Sequence, residues 1–177
     1  MRRFWLILAC VIGVAVPAAA ADLNISAFYG RWQGNAISET DKSITFAVTA
    51  RDMDVLIQPA GNGFRVSWTT IRRQKGDPRN PTLEKRAAEL VFRPAAQPGI
   101  WRAEGSADPM QGQFAWAGIQ GRTLTVNVMV IGAGGSYELQ SFARRLTDMG
   151  MELEFDRIVD GDKVRTAKGR LVKVANN

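Results

Sequence analysis

Residues 151–174, MELEFDRIVDGDKVRTAKGRLVKV, carry the clearest structural signal in the chain. Apolar and acidic side chains alternate over the first six positions, from Met151 to Asp156. A period of two places the apolar residues on one face of a β-strand and the acidic residues on the other. Asp160-Gly161 then supplies the residue pair that a type I′ turn favours. The stretch therefore predicts a β-hairpin whose second strand includes Val164–Val174.

The same period of two recurs through most of the chain. Phe64, Val66 and Trp68 alternate with polar residues after Pro59–Gly63, so residues 52–73 predict a second hairpin. Gly132–Gly135 predicts a further hairpin turn, because strand-like residues lie on both sides of it and no phosphate-binding helix follows. Other runs that predict strands are 44–50, 88–93, 100–105, 113–120, 122–131 and 136–146.

This series of strands predicts an all-β fold. About nine or ten consecutive short strands would form a meander, and a meander must hide its two edge strands. Closure into an antiparallel up-and-down β-barrel of about 8–10 strands hides both edges. Little helix is expected: a turn near Leu23–Tyr29 and part of Leu83–Leu90.

Phe28-Tyr29-Gly30-Arg31-Trp32-Gln33-Gly34 opens the first strand with a Gly-x-Trp motif. It resembles the first strand of the calycin group, which comprises lipocalins, fatty-acid-binding proteins and avidin-like barrels. The resemblance implies a calycin-like, or lipocalin-like, barrel in which Trp32 plugs the closed end. It also implies an arginine over that tryptophan, supplied by Arg157, Arg165 or Arg170. We take Gly30, Trp32 and Arg170 as the predicted plug.

The N-terminal residues predict an exported protein. Arg2 and Arg3 precede the apolar run Phe4–Val16, and Pro17–Ala21 supplies small residues before Asp22. This order is typical of a secretory signal peptide. We expect a signal peptide at residues 1–21, a single β-barrel domain at 22–177, and a periplasmic or secreted location.

The amino-acid composition limits which catalytic and metal sites the chain can form. The chain has no histidine, and its one cysteine, Cys10, lies in the predicted signal peptide. Histidine is the usual general base near neutral pH and the commonest metal ligand, so most familiar catalytic and metal sites are excluded. We expect no metal and no cofactor. Removal of residues 1–21 would lower the net charge from +6 to +4. This basic excess is much weaker than the concentrated patch of a nucleic-acid-binding protein, although it favours peripheral contact with an anionic membrane surface.

Three functional hypotheses remain. The first is a non-catalytic binding protein that holds a small apolar or amphipathic ligand, such as a lipid, inside the barrel. The second is a filled barrel that acts through its surface on a protein partner in the cell envelope. The third is a barrel enzyme that uses a tyrosine or a carboxylate; Tyr137 and Glu138 lie on opposite faces of one predicted strand, so at most one of them points inward.

The first hypothesis is favoured, and it predicts which residues line the cavity. The apolar faces of the predicted strands would line the cavity. The basic segment Gln74–Arg86 is predicted to form a loop, either as a lid at the opening of the cavity or, as we favour, as a solvated loop whose charges serve solubility. The cavity candidates are Phe46, Val48, Phe64, Val66, Trp68, Phe92, Trp101, Trp116, Val126 and Val128.

Overall fold

Ten antiparallel strands close into an up-and-down barrel in the computed structural model, which describes residues 21–39, 49–73, 83–105 and 108–175. Each strand pairs with its neighbours in sequence, and β1 pairs with β10 to close the ring. The expected all-β barrel is therefore confirmed, with ten strands. The strands are β1 (Gly30–Glu39), β2 (Thr49–Ala60), β3 (Gly63–Arg73), β4 (Leu83–Pro94), β5 (Ile100–Ala103), β6 (Gln113–Gln120), β7 (Thr123–Ile131), β8 (Tyr137–Thr147), β9 (Gly150–Val159) and β10 (Asp162–Val174).

Turn chemistry accounts for the register of the hairpins. Asp160 and Gly161 have φ angles of 50° and 93°, as the predicted type I′ turn requires, and they connect β9 to β10. Asp160 also links this turn to the start of β8, because its carboxylate accepts a hydrogen bond from the Tyr137 backbone N–H at 2.8 Å. The predicted hairpin over residues 52–73 is likewise present as β2 and β3.

The helical alternative at Leu83–Leu90 is wrong, because these residues begin β4. Their composition, with Leu83, Glu84 and Lys85 at the start, suits a helix on propensity alone. β4 instead pairs with β3 in continuous register from Arg73–Leu83 to Phe64–Phe92. Pairing along the whole strand outweighs the small propensity differences between residues.

One end of the barrel is closed and densely packed. A single turn of 3₁₀ helix, Ile25–Phe28, lies at this end, at the position of the expected turn. The Trp32 indole N–H donates a 3.0 Å hydrogen bond to the Phe28 carbonyl oxygen, so the turn and the first strand are joined in the core. Phe64 stacks on Phe92 with ring centroids 4.9 Å apart. Large buried side chains therefore fill this end.

Part of the sequence analysis concerns residues that the structure does not describe. The expected signal peptide, apart from Ala21, lies outside the described ranges, as do Phe46, Val48 and most of the basic segment Gln74–Arg86. Within those ranges no helix has the length and apolar character needed to cross a membrane.

Candidate functional site

A cavity of about 610 Å³ lies inside the barrel at the end opposite Trp32. Residues from both sides of the barrel converge on it, including Trp68 on β3 and Phe142 on β8. The inward-facing residues of these antiparallel strands surround one space, so the cavity is the unfilled interior of the barrel at this end.

Aromatic and aliphatic side chains form the inner part of the cavity, which we call the floor. The Trp68 and Phe142 ring centroids are 5.2 Å apart, and those of Phe142 and Phe155 are 4.8 Å apart. Met53 and Leu153 complete the floor. These separations are those of favourable aromatic pairs, so the floor is a preformed apolar surface from four strands, β2, β3, β8 and β9.

Polar side chains occupy the outer part of the cavity, which we call the mouth. Arg157 donates a 2.6 Å hydrogen bond to Glu138, and Gln140 donates another at 2.7 Å. The Arg157 guanidinium is the main cause that holds the pKa of Glu138 below its ordinary value, and Arg165 contributes through its charge. Glu138 is therefore ionised at neutral pH. The other residues of the mouth are Ser38, Arg51, Thr70 and Arg86.

A fifth arginine lies against the floor. Arg144 is 1% exposed, and its Cζ atom lies 5.7 Å from the Trp68 ring centroid and 5.6 Å from that of Phe142. Its Nη1 atom donates a long hydrogen bond of 3.4 Å to the Phe142 carbonyl oxygen, and its buried Nε atom has no hydrogen-bond partner among the residues that the structure describes. Burial lowers the pKa of Arg144 to about 10, so the side chain still carries its charge at neutral pH.

Of the predicted cavity residues that the structure describes, only Trp68 lines the cavity. The others are in different places. Trp101 is partly buried and meets Phe64 edge to face, with ring centroids 5.5 Å apart. The remaining interior candidates belong to the packed core: Phe64, Val66, Phe92, Val126 and Val128. These five side chains are buried in the core, and none of them lines the cavity.

Trp116 corrects the prediction for β6. Its sequence neighbours Ala115 and Ala117 are fully buried, so the alternation of the strand places Trp116 on the outer face, where its ring lies 5.5 Å from that of Phe114. Ala117 pairs in register with Trp101 on the adjacent strand. Because Trp101 takes up the interior space there, small residues suit the inward positions of β6.

The predicted plug is partly rearranged. Trp32 is 5% exposed at the closed end, and the cation beside it is Lys173, with Nζ 5.4 Å from the ring centroid. Gly30 leaves room for that lysine: its φ is +130°, and a Cβ atom there would meet the Lys173 Cε at 2.5 Å. Arg170 is instead exposed and pairs in register with Asn35 and Glu152. Lys173 was missed because only arginines were considered for this position.

The arginines of the cavity are the residues that sequence reasoning missed. Arg157 continues the inward series Met151, Leu153, Phe155, and Arg144 lies two positions from Phe142 on β8. Charged residues at inward positions of an apolar alternation were the available signal. Arg157 and Arg165 were considered only as covers for Trp32, but both line the mouth at the opposite end of the barrel.

Two depressions on the outer surface are less suited to a small ligand than the interior cavity. A depression of about 670 Å³ lies around Ile37 on the outside, where Arg145 is paired with Glu152 and Lys168 with Glu154. A second depression, of about 570 Å³, lies at the β4–β5 turn beside the Arg93–Glu104 ion pair. These ion pairs lie at the surface, where solvent screens their charges. Over the described part of the chain no three acidic, cysteine or histidine residues form a group able to hold a metal ion.

Comparison with known proteins supports the architecture. No protein-family model and no curated protein sequence matches the chain. A solved structure of a protein of unknown function from the DUF3598 family of Nostoc punctiforme matches with a TM-score of 0.57 at 15% identity, over 90% of this chain and 53% of that one. An S-type phycobiliprotein lyase from Guillardia theta matches with a TM-score of 0.39 at 12% identity, over 86% and 92% of the two chains.

The chain thus spans about half the length of the DUF3598 structure. At 15% identity that similarity shows the fold alone.

Proposed function

We propose that this protein is a non-catalytic binding protein that holds a small amphipathic molecule inside its barrel. The observation that carries the proposal is the division of one interior cavity into an apolar floor and a polar mouth. A volume of about 610 Å³ is within the usual range for small-molecule sites, which combine apolar walls with a few polar groups.

Burial against the floor would supply most of the affinity. Each methylene group removed from water contributes about 0.8 kcal/mol, so a ligand with six to eight such groups would gain roughly 5–6 kcal/mol before the losses on association. Trp68, Phe142 and Phe155 provide a rigid surface for that part of the ligand. Polar groups at the mouth would then orient the other end.

The other hypotheses have less support. A filled barrel would leave no interior space of this size, so the cavity favours a carrier over a module that acts only through its surface. For an enzyme, Glu138 is the inward carboxylate, but its pKa is held low by the hydrogen bond from Arg157. An ionised carboxylate with a lowered pKa is a poor general acid and a weak base.

We also propose that the protein acts outside the cytoplasm, in the periplasm or as a secreted protein. Support for export comes from the order of charged, apolar and small residues before Asp22. The expected contacts with an anionic membrane surface and with an envelope protein remain predictions.

Native mass spectrometry of the exported protein, purified without detergent, tests both proposals. We expect a chain mass that lacks residues 1–21 and an adduct of one small molecule that is lost on denaturation. The adduct-free protein should bind the neutral dye N-phenyl-1-naphthylamine with a stoichiometry of one.

Two matched variants identify the site of binding. Ala88→Phe places a ring in the cavity from an exposed position on β4, whereas Val172→Phe adds the same ring to the outer surface of β10. Only Ala88→Phe should lose the dye, with little change in stability for either variant. Absence of both an adduct and saturable dye binding would contradict the carrier, and equal binding by the two variants would place the dye elsewhere.

A further inference from the structure

Arginines outnumber acidic residues among the described side chains that line the cavity. Among the described residues that line it, four are arginines and one, Glu138, is acidic. A cavity with low-dielectric walls concentrates the field of such charges, which attracts anions. For the carrier proposed above, this positive charge indicates the class of ligand that the cavity binds.

Two of the arginines face each other across adjacent strands. Arg157 and Arg165 are register partners on β9 and β10 and both line the mouth. Like charges directly opposite each other in a sheet are destabilising. Glu138 accepts a hydrogen bond from Arg157, whereas the buried Arg165 Nε atom has no hydrogen-bond partner among the described residues. The local balance of charge therefore lacks one anion.

Arg144 adds a second positive charge, and no acidic residue in the described ranges offsets it. Its guanidinium contacts the Trp68 and Phe142 rings of the floor, and its buried Nε atom has no hydrogen-bond partner in the described part of the chain. A charge this deeply buried is usually paired with an opposite charge. Arg144 and Arg165 thus leave the cavity with excess positive charge both at its floor and at its mouth.

We infer that the ligand is an amphipathic anion, with one acidic group such as a carboxylate, sulfonate or phosphate on an apolar body. The acidic group lies between Arg157 and Arg165 at the mouth, and the apolar body lies against Trp68, Phe142 and Phe155. Guanidinium groups suit this role because their planar N–H donors match the oxygens of such anions. Arg144 lies against the floor, and its positive charge also attracts an anionic ligand.

Two dyes that differ by one acidic group test the inference. 8-Anilinonaphthalene-1-sulfonate is N-phenyl-1-naphthylamine with an added sulfonate, so the ratio of their dissociation constants isolates the contribution of the anion. We expect the sulfonated dye to bind at least about tenfold more tightly, because hydrogen bonds to charged groups are among the stronger ones. The preference should fall as salt is added.

Matched charge variants locate the anion. Arg165→Gln removes a positive charge from the mouth, and Arg170→Gln removes one from the exposed face of the same strand. The ratio of the dissociation constants of the neutral and sulfonated dyes should fall to about one in Arg165→Gln and stay unchanged in Arg170→Gln.

Each other outcome identifies what failed. If neither dye binds to the unmodified protein, the carrier function itself is wrong. If the neutral dye binds and the sulfonated dye binds no better, the carrier stands and the anionic ligand is overturned. Loss of the preference in both variants would assign it to overall charge, which overturns the placement at Arg157 and Arg165.

Discussion

Arg144 is the residue whose position is hardest to explain by stability alone. Its side chain is 1% exposed, and nothing in the described structure offsets its charge with a carboxylate. Taking an ion out of water costs several kcal/mol even after the protein relaxes. Contacts with the Trp68 and Phe142 rings recover part of this cost, since a desolvated cation over an aromatic ring contributes about 2 kcal/mol. We interpret the remaining destabilisation of the fold as retained because the charge of Arg144 contributes to ligand binding.

Replacement of Arg144 by methionine should therefore stabilise the empty barrel. Methionine is flexible and apolar and has a similar length, so it fills the site without a charge. By analogy with buried ion pairs replaced by apolar residues, we expect a gain of about 1–4 kcal/mol in the free energy of unfolding. Urea denaturation of the ligand-free protein measures it, as a shift in midpoint with little change in slope.

Arg145→Met provides the control for that measurement. Arg145 is the next residue on β8, is exposed and is paired with Glu152 at the surface. Surface pairs contribute about 0–1 kcal/mol, so this variant should be close to neutral. A loss of stability in Arg144→Met would show that the guanidinium supports the fold and would remove the argument that its cost serves binding.

Single residues also show where sequence reasoning fails. The alternation of β6 is equally consistent with Phe114 and Trp116 inward or with Ala115 and Ala117 inward. The choice depends on Trp101, which occupies the interior next to Ala117. Such a contact joins residues from different strands, and one strand's pattern contains no information about it. The same is true of Lys173, which reaches Trp32 across the β1–β10 pair that closes the barrel.

At the scale of elements, β5 is the weakest part of the barrel wall. It has four residues, and only three register pairs join it to β4 and three to β6. β8, in contrast, has nine register pairs with β7 and ten with β9. Regions with few contacts open at a lower free energy than the rest of a fold. The barrel should therefore open first at β5.

Amide hydrogen exchange of the native protein tests this order. We expect the amides of Ile100–Ala103 to exchange faster than those of Val126 or Phe142 in the middle of long strands. The Trp101–Phe64 contact holds β5 in place, so Trp101→Ala should increase the difference. Equal protection of β5 and β8 would mean that the barrel opens only as a unit.

Elements with local signals were predictable, and the others were not. The type I′ turn at Asp160-Gly161 and the β2–β3 hairpin follow from residues close together in sequence, and both are present. β4 was shortened to residues 88–93 because its first residues carry helix-forming side chains. Its true extent is set by pairing with β3, which is a tertiary effect.

At the scale of the whole molecule, the barrel has two functional halves. The closed end is filled by large buried side chains such as Phe28, Trp32 and Phe64 and should supply most of the stability. The open end keeps its cavity, and the buried Arg144 and Arg165 Nε atoms there have no hydrogen-bond partner among the described residues, so this end should supply the binding. Two tryptophans mark this division: Trp32 is buried at one end, whereas Trp68 is partly buried in the floor of the cavity.

Alanine substitutions at these tryptophans should separate stability from binding. Trp32→Ala should lower the free energy of unfolding by about 3–5 kcal/mol, because it leaves a void in packed surroundings. Its affinity for N-phenyl-1-naphthylamine should change little, since Trp32 does not line the cavity. Trp68→Ala should weaken that dye about tenfold, since it removes a large apolar contact, and should destabilise the fold less.

Urea denaturation and dye titration on the same preparations measure the two effects. Trp32→Phe serves as the milder variant if Trp32→Ala does not fold, because it keeps an aromatic ring and loses the hydrogen bond to Phe28. If dye affinity instead falls in proportion to stability in all three variants, the cavity depends on packing at the closed end, and the two halves are a single cooperative unit.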